Sequence, residues 1–322
     1  MRVIAVAVSV TGSGSIRNAG GHARRGGRAA WTVRSQGGSA TTSSLLRRSP
    51  RLPPVTDTPH PSSSAPLELS DITFVRGQRR ILGGVSWRVE ADEHWLVLGA
   101  NGSGKTTLLR IAAMYEHPTS GNVRVLGEQL GRTDVRRLRR RVGYASAALA
   151  GQFRTELSAR DVVMTARYAA LEPWWHQYTD ADRARADECL QQLGVGGFAD
   201  RSLGTLSSGE QQRVFLARTL MNEPGVILLD EPSARLDLGG RELLVGALQQ
   251  LASDGGAPLA LVTHHVDEVP PVIGHVLLLR HGVAIAQGPI DTTLTSESLS
   301  ECFEMNLRLE RRDTGRWAAW AV

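Results

Sequence analysis

A short apolar run, Trp95-Leu96-Val97-Leu98, leads directly into Gly99-Ala100-Asn101-Gly102-Ser103-Gly104-Lys105-Thr106 and then into Thr107-Leu108-Leu109-Arg110-Ile111-Ala112-Ala113-Met114. The run reads as a buried strand, the glycine stretch as the loop at its carboxyl end, and the last segment as a helix whose N-terminus faces the loop. That order points to an α/β chain. The loop fits G-x-x-x-x-G-K-[ST], in which backbone N–H groups converge on phosphate oxygens; without its context the same stretch is a tight glycine turn. Lys105 is the single lysine among 37 basic residues. Arg offers a wide planar fork, whereas the compact ammonium of Lys folds back over a glycine loop onto β and γ phosphates. Candidate phosphate contacts are Gly99, Asn101, Gly102, Ser103, Gly104, Lys105, Thr106 and Thr107, with the Thr106 hydroxyl placed to ligate Mg²⁺.

Val226-Ile227-Leu228-Leu229 ends in Asp230-Glu231. Alone it is a core strand with polar residues at its end. Beside the glycine loop it gains a role, because carboxyl ends of neighbouring parallel strands meet at a ligand crevice. Asp230 is then a metal ligand through water, and Glu231 the base that orients and deprotonates an attacking water. A third element, Leu206-Ser207-Ser208-Gly209-Glu210-Gln211-Gln212-Arg213, opens a helix. Its simplest account is a capping box, Ser207 with Glu210.

Taken together and in this order, the three motifs resemble the ATP-binding subunits of ABC-type ATPases over about residues 67–290. The resemblance implies a P-loop, RecA-like core with an antiparallel β subdomain and a helical insert at about 150–205. It also implies Mg²⁺-dependent hydrolysis of ATP in a head-to-tail homodimer. There Ser207, Ser208 and Gly209 cap the γ-phosphate held by the other protomer, Asp237 lies in a dimer-contact loop, and His264 after Leu259–Thr263 is a catalytic switch histidine. Residues 173–179 with Val269-Pro270-Pro271 are most similar to the iron-complex and molybdate importer ATPases.

Two positions depart from the family. After Val142-Gly143-Tyr144 the expected Gln is Ala147, which cannot ligate Mg²⁺; Gln152 is a nearby substitute or a surface residue. The adenine-stacking aromatic is replaced by Arg76, whose guanidinium stacks less specifically.

Charge is uneven. Residues 1–66 hold nine Arg against Asp57, a balance of +8, which leaves −3 on residues 67–322 out of the total of +5. The acidic remainder argues against nucleic-acid binding, which wants a basic face. The Gly, Ser, Arg and Pro of residues 1–66 lack core periodicity and read as a disordered arm rather than an export signal. Two cysteines, Cys189 and Cys302, fit a reducing compartment.

No apolar run approaches the roughly 18 residues of a membrane span. Transport therefore needs a membrane permease partner, with this chain cytoplasmic and peripheral at the inner face of the membrane. The rival is a soluble ABC-type ATPase acting on nucleic acid or a protein complex; a nucleotide-dependent binding module with little turnover is a further alternative.

Three structural expectations remain. Leu69–Phe74 and Val85–Val89 should pair around a turn at Gly83-Gly84; Asp161–Ala170 and Asp182–Leu193 should be amphipathic helices, with Trp174-Trp175 between them packed, the alternative being an exposed partner interface. Residues 291–322 read as a C-terminal extension, in which Leu307–Val322 covers a sheet edge, meets a second protomer, or rests on an anionic surface.

Overall fold

The computed structural model describes residues 65–234, 236–253 and 255–322. The expected arm spans residues 1–66, of which 1–64 lie outside the described residues. Ala65 and Pro66 belong to the domain, since Ala65 is buried and the Pro66 carbonyl accepts from Leu126 N–H at 2.9 Å.

Strands β1 (Leu67–Arg76), β2 (Arg79–Val89), β4 (Ser120–Val125) and β5 (Glu128–Gln129) form an antiparallel sheet in the order β2-β1-β4-β5. The β1–β2 turn is Gly77-Gln78, not Gly83-Gly84, because Arg76 pairs with Arg79 and Gly77 supplies the positive φ of 62°. Gly83-Gly84 instead makes an irregularity inside β2, where Gly83 N–H donates to Gly282 O at 2.8 Å.

A second sheet has the order β10-β9-β3-β8-β7-β6. It comprises β3 (Trp95–Leu98), β6 (Val142–Ser146), β7 (Val226–Asp230), β8 (Leu259–Thr263), β9 (His275–Arg280) and β10 (Val283–Pro289). β3, β6, β7, β8 and β9 pair in parallel, while β10 is antiparallel to β9. Strands covered on both faces need apolar residues at every position, which is why β3, β7 and β8 read as unbroken apolar runs. Successive residues then serve opposite cores. Val97, Leu228 and Val262 pack with α1 (Lys105–Ala112) and the antiparallel sheet. Leu98, Leu229 and Leu261 pack on the other face with α6 (Ser208–Leu220) and α7 (Leu238–Ser253).

The insert holds α4 (Ala159–Met164), extended by a 3₁₀ turn over Thr165–Tyr168, and α5 (Asp180–Gln192). Both helices fall where the pattern places them, and both pack on α6. Between them Trp174 and Trp175 are not packed: they are 56% and 83% exposed, with the Arg154 guanidinium 4.7 Å from the Trp174 ring. Smaller helices are α2 (Val135–Arg139), α3 (Ala147–Ala150), α8 (Ile290–Thr293) and α9 (Ser296–Phe303). The tail extends no existing sheet. It forms a separate hairpin of β11 (Leu307–Arg311) and β12 (Trp317–Ala321), packed on α9 and on the 3₁₀ turn Val266–Glu268.

Candidate functional site

The glycine loop closes on itself because nothing larger fits. A Cβ at Gly99 would lie 2.2 Å from the Leu279 carbonyl oxygen, and Gly104, with φ 103°, would place one 2.7 Å from Leu82. The turn between β9 and β10 braces the loop, as Gly282 N–H donates to Ser103 O at 3.0 Å. Asn101, Gly102 and Thr106 are exposed, while Ser103 and Lys105 are buried, the Ser103 hydroxyl with no protein partner.

Lys105 bends back over the loop. Its Nζ donates to Gly99 O at 2.7 Å and Ala100 O at 3.0 Å, and burial lowers its pKa against the opposing charges of Glu231 and Asp230. A buried ammonium held only by carbonyl dipoles is a charge in need of an anion.

The acidic pair stands across from it. β3 and β7 are not neighbours, contrary to the sequence expectation: β8 lies between them and brings His264 to the same sheet end. The loop still reaches over, with Thr106 Oγ1 donating to Asp230 Oδ1 at 3.0 Å. Asp230 is 5% exposed and its carboxyl is pushed up to about 6, by burial first, with the Thr106 hydrogen bond opposing and the Glu231 charge adding. A hydroxyl and a carboxylate are the hard oxygen donors that Mg²⁺ selects, and a divalent cation would reverse the burial penalty on Asp230, so this pair fits that ion.

Glu231 leaves the strand with φ 49°, a left-handed conformation unfavourable for any residue with a Cβ. The turn is pinned by Glu231 N–H donating to Val262 O at 2.9 Å. Its carboxylate is half-buried, and Oε1 lies 3.1 Å from His264 Nδ1, a hydrogen bond when that nitrogen carries the proton. Glu231 and His264 are therefore brought together from positions 33 residues apart.

Ser207 caps α6 in a full capping box: its N–H donates to Glu210 Oε2 at 2.7 Å, and Glu210 N–H donates to its Oγ at 3.3 Å. Ser207 and Ser208 are exposed and Gly209 partly so. Within the single chain the local account of this segment holds, and the surface stays open to a second protomer. Asp237 is exposed and caps the start of α7 by accepting from Gly240 N–H at 2.8 Å.

The two departures have clear positions. Ala147 begins α3 just after Ser146, which pairs in register with Asp230, and it lines a cavity of about 210 Å³ together with Glu231, Gln212 and Phe153. Gln152 is exposed, its amide donating to Ala148 O at 3.2 Å. Arg76 is exposed at the end of β1 and paired with Glu116 at 2.9 Å. A residue the motifs missed is Glu268, buried behind His264; no local sequence signal marks it.

Comparison with known proteins agrees with the geometry. A family model described as ABC transporter matches residues 82–234. The uncharacterized ABC transporter ATP-binding protein YlmA of Bacillus subtilis (strain 168) is 38% identical over 240 residues, 74% of this chain and 90% of YlmA. The hemin import ATP-binding protein HmuV of Rhodococcus jostii (strain RHA1) is 32% identical over 84% of this chain and 89% of its own. Among solved structures, the dimeric ATP-binding cassette MJ0796 in a post-hydrolysis state with ADP and Pi superposes with a TM-score of 0.61 at 26% identity, covering 70% of this chain and 98% of the cassette.

Proposed function

Since the chain belongs to the ABC transporter ATP-binding proteins, it binds and hydrolyses ATP to drive transport, and we propose that Lys105, Thr106, Asp230, Glu231 and His264 form its hydrolytic site. The observation that carries this assignment is the meeting of three strand ends, with Thr106 on Asp230 at 3.0 Å and Glu231 on His264 at 3.1 Å.

Lys105 exchanges its two loop carbonyls for phosphate oxygens, and the loop N–H groups with the start of α1 hold the remaining charge. Thr106 and, through water, Asp230 would hold Mg²⁺, which would neutralise charge developing on the β and γ phosphates. Glu231 takes the proton of the attacking water, and His264 fixes the direction of its carboxylate. Ser207, Ser208 and Gly209 serve the nucleotide of a second copy through their open surface, and the dimeric state of the MJ0796 cassette supports that partnership. Arg76 is the candidate base contact, paired at the end of β1 with Glu116.

A permease is the second partner. Among the described residues no helix is long and apolar enough to cross a membrane, and the exposed Trp174-Trp175 pair suits a contact outside the domain. On this reading the chain works at the cytoplasmic face of a membrane, and the likeness to HmuV supports import as the direction. The soluble-ATPase rival has Ala147 in its favour, but the relatives named above are transporter components. The test is co-purification with any multispan protein found to be encoded beside it. Formation of a complex whose ATP turnover rises over that of the isolated chain is expected, and Trp175→Ser should weaken the complex without changing isolated turnover. A neighbouring permease that never associates would refute the partnership.

A further inference from the structure

Glu268 is a carboxylate the chemistry above leaves idle, and it is only 4% exposed. Its Oε2 accepts from Thr263 Oγ1 at 2.9 Å and from the Ser233 hydroxyl, while Oε1 lies 3.5 Å from Arg241 Nη1. Each partner belongs to a segment that matters. Ser233 is two residues past Glu231, Thr263 directly precedes His264, and Arg241 in α7 donates through Nε to Leu236 O at 3.2 Å, next to Asp237. One buried side chain thus joins the turn carrying the base, the strand end carrying its histidine, and the loop leading to the dimer contact.

A buried charge is unfavourable unless paired and hydrogen-bonded. Here Oε2 takes both hydroxyls, while Oε1 has no hydrogen bond and is balanced by the Arg241 charge. Hydrogen bonds from two segments to one buried oxygen tie their backbones together. The same turn is also held from outside. Arg316, just before β12, makes two contacts to Glu242 at 2.6 and 3.2 Å and donates to the Asp267 carbonyl. The turn that bears Glu268 is therefore fixed on both sides.

We propose that Glu268 is a positioning residue for ATP hydrolysis, holding the Glu231 turn against the His264 strand end so that the two side chains are aligned before nucleotide arrives. This rests on the roles assigned to Glu231 and His264. Glu268 touches neither side chain; it acts through Ser233 and Thr263 on the backbone beside them.

The test uses the full chain with ATP and Mg²⁺, measuring kcat, KM, ATP affinity by calorimetry, and Tm. Glu268→Gln keeps the volume and an acceptor oxygen but loses the charge opposite Arg241. It should lower kcat by about ten- to a hundredfold while ATP affinity stays within about threefold of wild type. Ser233→Ala and Thr263→Val should each lower kcat, and the double variant should lose less than the product of the two, because both hydroxyls act through one carboxylate. Wild-type kcat in Glu268→Gln, or equal losses of kcat and affinity, would overturn the proposal. So would single-variant effects that simply multiply, and this hydroxyl pair decides the matter if Glu268→Gln does not fold. Full turnover in Glu231→Gln is a separate result: it would remove the parent assignment, and this proposal with it.

Discussion

Replacing Asp230 with Asn should stabilise the nucleotide-free protein while ending its metal-dependent hydrolysis. The carboxyl is buried at the end of β7 and pushed from 3.8 up to about 6. At 1.36 kcal/mol per pKa unit, a shift of about two units means that the ionised carboxylate costs the fold about 3 kcal/mol. The sign follows from which state holds the proton more tightly. Here the folded state does, so this group's contribution to stability is fully present below about pH 4, falls as pH rises towards about 6, and is gone above that.

Asn keeps the carbonyl oxygen to which Thr106 donates and carries no charge. It should therefore match wild type near pH 4 and exceed it by about 3 kcal/mol at about pH 8, a Tm rise on the order of 6–12 °C for a domain of this size. The assay is thermal unfolding in chelator without nucleotide across that pH range, beside a hydrolysis assay. ATP with Mg²⁺ at about a thousand times the wild-type Kd should reverse the ranking, since that stabilises wild type by about 4.1 kcal/mol, more than the gap of about 3, while the variant lacks the carboxylate charge that favours the metal. An Asn variant that melts at or below wild type at about pH 8, or a gap that does not widen with pH, would refute the burial account of Asp230.

Three further outcomes follow from the same geometry. Glu231→Gln should retain ATP binding but lose turnover by about 10² to 10⁴, and size-exclusion chromatography should show an ATP-bound dimer accumulating. Lys105→Ala should abolish nucleotide binding more completely than Lys105→Arg, which keeps the charge but not the fit against the Gly99 and Ala100 carbonyls; titration calorimetry with ATP and Mg²⁺ reads the difference, and equal affinity in wild type and the Ala variant would count against the loop. Ala147→Gln should shift the Mg²⁺ dependence of hydrolysis, because the new amide enters the cavity that Glu231 lines, whereas Gln152→Ala should be nearly silent; the reverse pattern would mean that the sensor has moved to Gln152.

Features built from contiguous residues were legible before folding. The strand, glycine loop and helix from Trp95 onward, the Asp230-Glu231 strand end and the Ser207 capping box are each encoded within a few residues, where backbone preference and hydrogen bonding act without help from the rest of the chain. The tertiary structure decided everything that depends on strand order. Trp95–Leu98, Val226–Leu229 and Leu259–Val262 are all buried on both faces and all uniformly apolar, so nothing in their composition says which lies beside which. Only the assembled sheet inserts β8 between the loop and the acids, which sets His264 against Glu231 and lets Thr106 meet Asp230 across 124 residues. Long-range packing likewise set the first turn at Gly77 and left Gly83 inside β2, its N–H donating to Gly282 O. The exposed tryptophans, the tail hairpin and the buried Glu268 hub belong to the same class: each is set by which surfaces the completed fold leaves covered or open, a quantity no local window contains.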